Sequence, residues 1–134
     1  MTTVDLLGKV DLLGRASSIA LARMYVREVL LEAGYRVVDD VLLLVGEVVA
    51  NAVKHSYSGR QARGVMQLLV YRNDRTVRVE VVDEGSPNTI PQIPAQVDPL
   101  SENGRGLWLV RELSSAWGWQ QDEAGRTVWF EIAP

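Results

Sequence analysis

The sequence predicts an α+β fold in which three helices pack on one face of a mixed, mainly antiparallel sheet. Three segments place apolar residues at helical spacing, and two pairs of segments rich in β-branched residues predict hairpins. Their order along the chain is helix, helix, hairpin, helix, hairpin. Such elements bury their apolar sides best as a two-layer sandwich. The 134 residues fit one compact domain, so residues 1–134 are expected to fold as a single unit.

The N-terminal quarter of the chain is predicted to hold a weak strand or hairpin and then a helix. Residues 3–13 alternate loosely between apolar and polar side chains, and Gly8 interrupts the pattern. A helix is expected to follow, capped by Ser17 or Ser18 and running to about Ala33. Gly34 is a typical helix terminator.

The rest of the chain is predicted to contain two more helices, two hairpins and two loops. The second helix begins at Asp39 or Asp40, both of which suit a helix N-terminus. Four prolines mark the second loop, and long loops in compact domains are often functional lids. The predicted segments are a loop at 56–64, strands at 65–71 and 76–82, a long loop at 86–103, a helix at 106–115, and strands at 116–121 and 127–132.

The composition excludes several classes of function. The chain has no cysteine, which rules out disulfides, thiolate zinc sites and a cysteine nucleophile, and its one histidine is His55. The net charge of −3 argues against a nucleic-acid surface, so no direct nucleic-acid partner is expected. No apolar run approaches the roughly 20 residues that a transmembrane helix needs, and the N-terminus lacks a signal-peptide pattern. We therefore expect a cytoplasmic protein without a membrane partner.

The second predicted helix carries a polar stripe on an otherwise apolar segment. Glu47, Asn51 and His55 are each four residues apart and lie on one helical face, with Lys54 beside them. Burying these groups without partners is costly, and a metal-bound phosphate would supply partners. Asn51 can ligate Mg²⁺ through its carbonyl oxygen, while Glu47 can orient or deprotonate a nucleophilic hydroxyl or water. Lys54 and His55 can approach phosphate. The alternative is a surface helix with a solvated polar face.

A carboxylate follows the first predicted hairpin, at the end of its second strand. Asp83 is an acceptor-only group when ionised, and it can therefore receive the exocyclic amine of adenine. Gly85 would let the backbone approach the ring without a Cβ between them. The alternative is an ordinary turn after a strand, to which Asp and Gly are equally suited.

Glycines precede the third predicted helix. The run Asn103-Gly104-Arg105-Gly106-Leu107 would place backbone N–H groups and the positive end of the helix dipole at an anion. Gly104 and Gly106 permit close contact with phosphate, and Arg105 can add a charge. The alternative is a glycine hinge before a helix.

In this order and spacing, the three motifs resemble the helix, aspartate and glycine boxes of the Bergerat-fold (GHKL) ATP-binding proteins. The resemblance spans about residues 16–132 and is strongest to the stand-alone anti-sigma factor serine/threonine kinases. It implies the Bergerat fold, ATP and Mg²⁺ as cofactors, Glu47 as the catalytic residue, Leu107 in the phosphate cradle, and Thr127 near the adenine. One departure is that Ser86-Pro87 follows Gly85, so the second glycine of many aspartate boxes is missing.

The resemblance also implies what the protein does. A kinase of this branch would transfer the γ-phosphoryl group of Mg-ATP to a serine or threonine of an antagonist protein, and would regulate transcription by binding a sigma factor. A homodimer is possible by the same resemblance. Two alternatives stay open, namely a non-catalytic module whose protein binding is gated by nucleotide and a stand-alone ATPase. Trp117 and Trp119 share one strand face, which would be a candidate interface if it were exposed.

Overall fold

The computed structural model of the protein describes residues 4–55, 64–84, 105–122 and 125–134. The predicted lid at 86–103 lies outside these residues, as does all but the last residue of the predicted loop at 56–64. The described residues form three helices and five strands. In chain order the elements are β1 (Val4–Leu13), α1 (Ser17–Glu32), α2 (Asp39–His55), β2 (Val65–Asn73), β3 (Thr76–Asp83), α3 (Arg105–Leu113), β4 (Ala116–Asp122) and β5 (Gly125–Ile132).

The strands form one sheet in the order β1–β2–β3–β5–β4. Every pairing in this described sheet is antiparallel, so the mainly antiparallel sheet of the prediction is confirmed. β2 and β3 form the first predicted hairpin, in which Asp74 takes a left-handed turn conformation with φ of 57°. Aspartate tolerates that conformation better than most residues. β4 and β5 form the second predicted pair, which ends with Asp122 opposite Gly125.

The N-terminal segment is one long strand, which decides between the two structures predicted for it. β1 pairs with β2 along its length, with a shift in register between Leu6 and Gly8. A Cβ added at Gly8 would lie 2.6 Å from the hydroxyl oxygen of Tyr25. That hydroxyl donates to the Lys9 carbonyl at 3.1 Å. Glycine at this position therefore lets α1 lie close to β1.

The first helix spans the predicted segment, but the predicted serine cap is wrong. No side chain caps its N-terminus, and the Ser18 hydroxyl donates instead to the Leu13 carbonyl at the end of β1. The serine thus links the helix to the strand before it. At the other end, Gly34 has φ of 98° and donates its N–H to the Leu31 carbonyl at 3.1 Å. This confirms Gly34 as the helix terminator.

The core lies between the three helices and one face of the sheet. Along β3, and along β5 from Arg126 onward, every second residue is buried, so one face of each strand packs on the helices while the other is half-exposed. No helix within the described ranges combines the length and apolarity needed to cross a bilayer. The buried apolar residues are Leu12, Ala22, Val26, Leu30, Val38, Val41, Leu44, Val45, Val48, Val49, Ala52, Met66, Leu68, Val70, Val77, Val79, Val81, Val110, Val128, Phe130 and Ile132.

One end of the sheet collects the ends of several elements. It is called the Asp83 end, because β3 finishes there at Asp83 and β5 begins there at Gly125. β1 also finishes and β2 begins at this end. α1 starts just after β1 and runs to the opposite end, where the Arg72 Nη2 group donates to the Ala33 carbonyl at 2.9 Å.

The second and third helices are oriented by their connections. α2 follows α1 after a short connection and packs against it, so the two helices run antiparallel. The C-terminal half of α2, which carries Asn51, therefore points to the Asp83 end. β4 runs toward the Asp83 end, and α3 directly precedes it and packs against it. α3 therefore begins, at Arg105, on the Asp83 side. Since α2 also contacts α3, β3 and β5, the three predicted motifs lie on elements that meet at one end of the fold.

Candidate functional site

The polar stripe of α2 borders the core. Glu47 and Asn51 are half-buried and Lys54 is exposed, while Val48, Val49 and Ala52 face the sheet. The Nδ2 group of Asn51 is buried and has no hydrogen-bond partner. A buried amide donor without a partner costs about 1–3 kcal/mol. The fourth predicted residue of the stripe, His55, ends the helix, and its side chain lies outside the described residues.

Asp83 and Arg126 form an ion pair at the end of the sheet. They lie directly opposite each other on β3 and β5, and both side chains point to the helix-covered face. The Arg126 Nη2 atom lies 3.3 Å from the Asp83 Oδ2 atom, and the two side chains are fully buried. The predicted adenine reader is therefore already paired with a cation that the sequence analysis did not single out.

The unpartnered buried donors of this region show what kind of ligand would fit it. Besides Asn51 Nδ2, the Nε and Nη1 groups of Arg126 are buried without a hydrogen-bond partner. These donors require acceptor atoms, which the phosphates and ring nitrogens of ATP would supply. A rotation of the Asn51 amide would present its oxygen instead, so the same side chain could hold Mg²⁺. The residues present therefore fit a magnesium nucleotide.

Gly125 holds the backbone of the ion pair in place, and sequence reasoning missed it. Its φ is 143°, and a Cβ added there would overlap the carbonyl oxygen of Asp83. Its N–H donates to the Asp122 Oδ1 atom at 3.2 Å. Only glycine lets β5 begin this close to the end of β3. The sequence analysis predicted a break between the strands at 116–121 and 127–132, but it gave no sign of the contact between Gly125 and Asp83.

We expect Gly125→Ala to destabilise the fold by about 3 kcal/mol or more, because it adds a backbone overlap to an unfavourable φ. Gly34→Ala is the matched control. Gly34 also has a positive φ, but a Cβ there meets no atom within 4 Å, so we expect a loss of only about 1–2 kcal/mol. Urea denaturation of both variants measures the difference. Equal losses would contradict the close approach at Gly125.

The structure separates Thr127, expected near the adenine, from Asp83. Thr127 pairs with Val82, and both belong to the half-exposed face of the sheet. The physical reason is the period of two along a strand. Val128 and Phe130 are buried against the helices, so Arg126 shares their face and Thr127 does not. Arg126 is therefore the β5 residue that lies beside Asp83.

The tryptophans of β4 and β5 lie on opposite faces of the sheet. Trp117 and Trp119 are half-buried and pack against the core on the helix-covered face of the sheet. Trp129 lies on the other face, where the Arg78 guanidinium stacks 4.0 Å from the centre of its ring. A Cβ at Gly118 would lie 2.8 Å from this indole, so the glycine makes room for it.

The remaining predicted site residues are only partly described. Gly85, Asn103 and Gly104 lie outside the described residues. Arg105, Gly106 and Leu107 form the first turn of α3, but their side chains also lie outside them. The backbone of that first turn is on the Asp83 side of the fold, where an anion site at the helix N-terminus would have to be.

A groove lies elsewhere on the surface, between α1 and α2. Its volume is about 420 Å³, and it contains none of the predicted site residues. Its lining residues are Ala20, Arg23, Met24, Arg27 and Leu42.

Comparison with known proteins identifies the family. Residues 13–132 match the family described as the histidine kinase-like ATPase domain. Over 109 residues the chain is 26% identical to the serine-protein kinase RsbW of Staphylococcus aureus and 27% identical to that of Staphylococcus epidermidis. Each of these alignments covers 73% of this chain and 69% of the relative.

A solved structure has the same fold. The crystal structure of the RsbU and RsbW domains of a Mycobacterium tuberculosis protein matches with a TM-score of 0.61 at 21% identity. The match covers 93% of this chain and 32% of that chain, so this chain spans about a third of it. Because the family match covers nearly the whole fold, this chain belongs to the histidine kinase-like ATPase domain family, the GHKL group, and within it is similar to the RsbW serine-protein kinases.

Proposed function

We propose that this protein binds Mg-ATP, phosphorylates a serine or threonine of an antagonist protein, and regulates transcription by binding a sigma factor. One observation carries the proposal. Buried, unpartnered donors of Asn51 and Arg126 lie on elements that meet at the Asp83 end of the fold, where α3 begins. The similarity to RsbW kinases, at 26–27% identity, supports the choice of reaction.

Each residue of the proposed site has its own role in binding ATP or in transferring phosphate. Asp83 accepts a hydrogen bond from the exocyclic amine of adenine, and the first turn of α3 faces the phosphates. Asn51 holds Mg²⁺, which when bound neutralises phosphate charge. Glu47, one turn before Asn51, accepts the proton of the acceptor hydroxyl or orients it. Lys54 is exposed and brings a mobile positive charge to the phosphates. In such a site catalysis is mostly positioning and charge neutralisation.

Phosphate transfer is the direct test of this function. The protein is incubated with ATP labelled in its γ-phosphate and with each small antagonist protein of its source organism in turn. We expect the label on one antagonist, and none when the acceptor serine or threonine of that antagonist is replaced by alanine. ATP binding with no labelled antagonist would favour the non-catalytic module. Release of free phosphate without any acceptor would favour the stand-alone ATPase.

The magnesium role of Asn51 gives a second prediction. We expect Mg²⁺ to tighten ATP binding to the wild type, and Asn51→Ala to lose most of that gain, about tenfold or more in affinity. Isothermal titration with ATP, in the presence of Mg²⁺ and of a chelator, measures it. Arg27→Ala, in the groove between α1 and α2, should keep the full magnesium effect. An undiminished magnesium effect in Asn51→Ala would remove the residue from this role.

A further inference from the structure

The carboxylate that is expected to bind adenine forms an ion pair with a guanidinium. Asp83 and Arg126 are paired across β3 and β5, with Arg126 Nη2 3.3 Å from Asp83 Oδ2. Arg126 is 0% exposed and Asp83 3% exposed. A carboxylate has about four acceptor positions, so the ion pair with Arg126 alone does not use the full acceptor capacity of Asp83. The base of a bound nucleotide would therefore contact the pair and not the carboxylate alone.

Arg126 has more donors than the ion pair uses. Its Nε and Nη1 groups are buried and lack partners, although a guanidinium presents five N–H donors in a fixed planar fork. Buried charged groups with unmet hydrogen bonds are costly, and a bound ligand is one way to supply the missing partners. The missing atoms must be acceptors, and a ligand held by Asp83 would bring its own acceptors close to Arg126, which lies directly opposite on β5.

Adenine presents a matching pattern on the edge that carries its amino group. The exocyclic amine is a donor, and a ring nitrogen acceptor flanks it on either side, N1 on one and N7 on the other. A carboxylate acceptor beside a guanidinium donor complements a donor beside an acceptor. The fork of Arg126 is rigid, so the match fixes the rotation of the base in the pocket as well as its identity.

We propose that Arg126 is a base-reading residue, which donates from Nε or Nη1 to the N1 or N7 atom of adenine while Asp83 accepts from the amine. The inference rests on the proposed binding of ATP and goes beyond it, since it gives the pocket a second, cationic contact to the base. Gly125 serves the same pair, because it lets the start of β5 lie against the Asp83 backbone.

Analogues of ATP that lack one ring nitrogen test this contact on the wild-type protein. The dissociation constants of ATP, 1-deaza-ATP and 7-deaza-ATP are measured by isothermal titration in the presence of Mg²⁺. A hydrogen bond to a charged donor is worth a factor of about 10–100 in affinity. We therefore expect one of the two analogues to bind about 10- to 100-fold more weakly than ATP, and its identity names the ring nitrogen that Arg126 reads.

Variants then assign the effect to the side chain. Arg126→Lys keeps the positive charge beside Asp83 but removes the planar fork, and we expect the preference for ATP over the affected analogue to fall to within about threefold. The double variant Asp83→Asn/Arg126→Met removes both charges together and should lose the preference as well. Arg78→Lys is the matched control, since Arg78 lies on the opposite face of the sheet over Trp129. It should retain the wild-type preference.

The outcomes separate this inference from the proposed function. Equal affinity of the wild type for ATP and both analogues would overturn the role of Arg126 while leaving ATP binding in place. An analogue preference that survives unchanged in Arg126→Lys and in the double variant would also overturn it. Failure of the wild type to bind ATP at all would overturn both proposals.

Discussion

Replacing Glu47 by glutamine is expected to reduce phosphate transfer to the antagonist by at least about 100-fold while changing ATP affinity by less than about threefold. The substitution keeps the size of the side chain and removes the group that accepts the hydroxyl proton, and general-base catalysis typically contributes a factor of 10²–10⁴. Glu47 is half-buried on α2, beside a helix face that is otherwise packed in the core, so the helix itself should be unaffected.

The measurement is a single-turnover assay with labelled ATP and the antagonist, accompanied by titration of ATP into the same preparation. Glu28→Gln, an identical change on the exposed face of α1, is the control and should transfer phosphate at the wild-type rate. Transfer by Glu47→Gln within about threefold of the wild type would contradict the catalytic role. A parallel loss of transfer and of ATP affinity would indicate that Glu47 acts in binding.

Replacing Asp83 by alanine is expected to destabilise the protein by about 3–5 kcal/mol and to remove detectable ATP binding. The Arg126 guanidinium is fully buried, and truncating its partner leaves an uncompensated charge in the core. A loss of this size is a large share of the 5–15 kcal/mol that stabilises a typical domain. Urea denaturation followed by tryptophan fluorescence measures the free energy of unfolding.

A double variant separates stability from binding at this position. Asp83→Ala/Arg126→Met removes both charges, and we expect it to recover most of the stability lost in Asp83→Ala, because apolar replacements of a buried ion pair are often neutral. It should still fail to bind ATP, since the base has lost its acceptor. A loss of less than about 1 kcal/mol in Asp83→Ala would contradict the buried pair. ATP binding by the double variant would contradict the assignment of Asp83 to the base.

The fold was largely predictable because its signals are local and periodic. Apolar residues at helical spacing located α1 and α2, Gly34 marked the end of α1, and the gap between the strands predicted at 65–71 and 76–82 located the first hairpin turn. The cap of α1 was not predictable in the same way. The Ser18 hydroxyl can bond either to the helix N-terminus or to the Leu13 carbonyl. The packing of α1 against β1 favours the bond to Leu13.

The site was predictable where a residue type alone suggests chemistry, and less so where register decides. Asp83 stood out as a carboxylate at a strand end, but its partner Arg126 depends on which residue of β5 lies opposite it. A signal was present in the sequence. Val128, Phe130 and Ile132 are apolar at a period of two, which places Arg126 on the buried face and Thr127 on the other. The contact between Gly125 and Asp83 had no such signal, because it joins two strands through the backbone.

A nuclear magnetic resonance titration tests most directly whether α2, the end of β3 and the start of β5 form one nucleotide pocket. The nitrogen-labelled protein receives a non-hydrolysable ATP analogue with Mg²⁺, and three signals are followed: the side-chain amide of Asn51, the backbone amide of Asp83 and the Nε–H of Arg126. We expect all three to shift with a single dissociation constant, while the Nε–H of Arg23 in the groove between α1 and α2 stays fixed. Signals that saturate at different concentrations, or an unmoved Asn51 amide beside a shifted Arg126, would contradict a shared pocket.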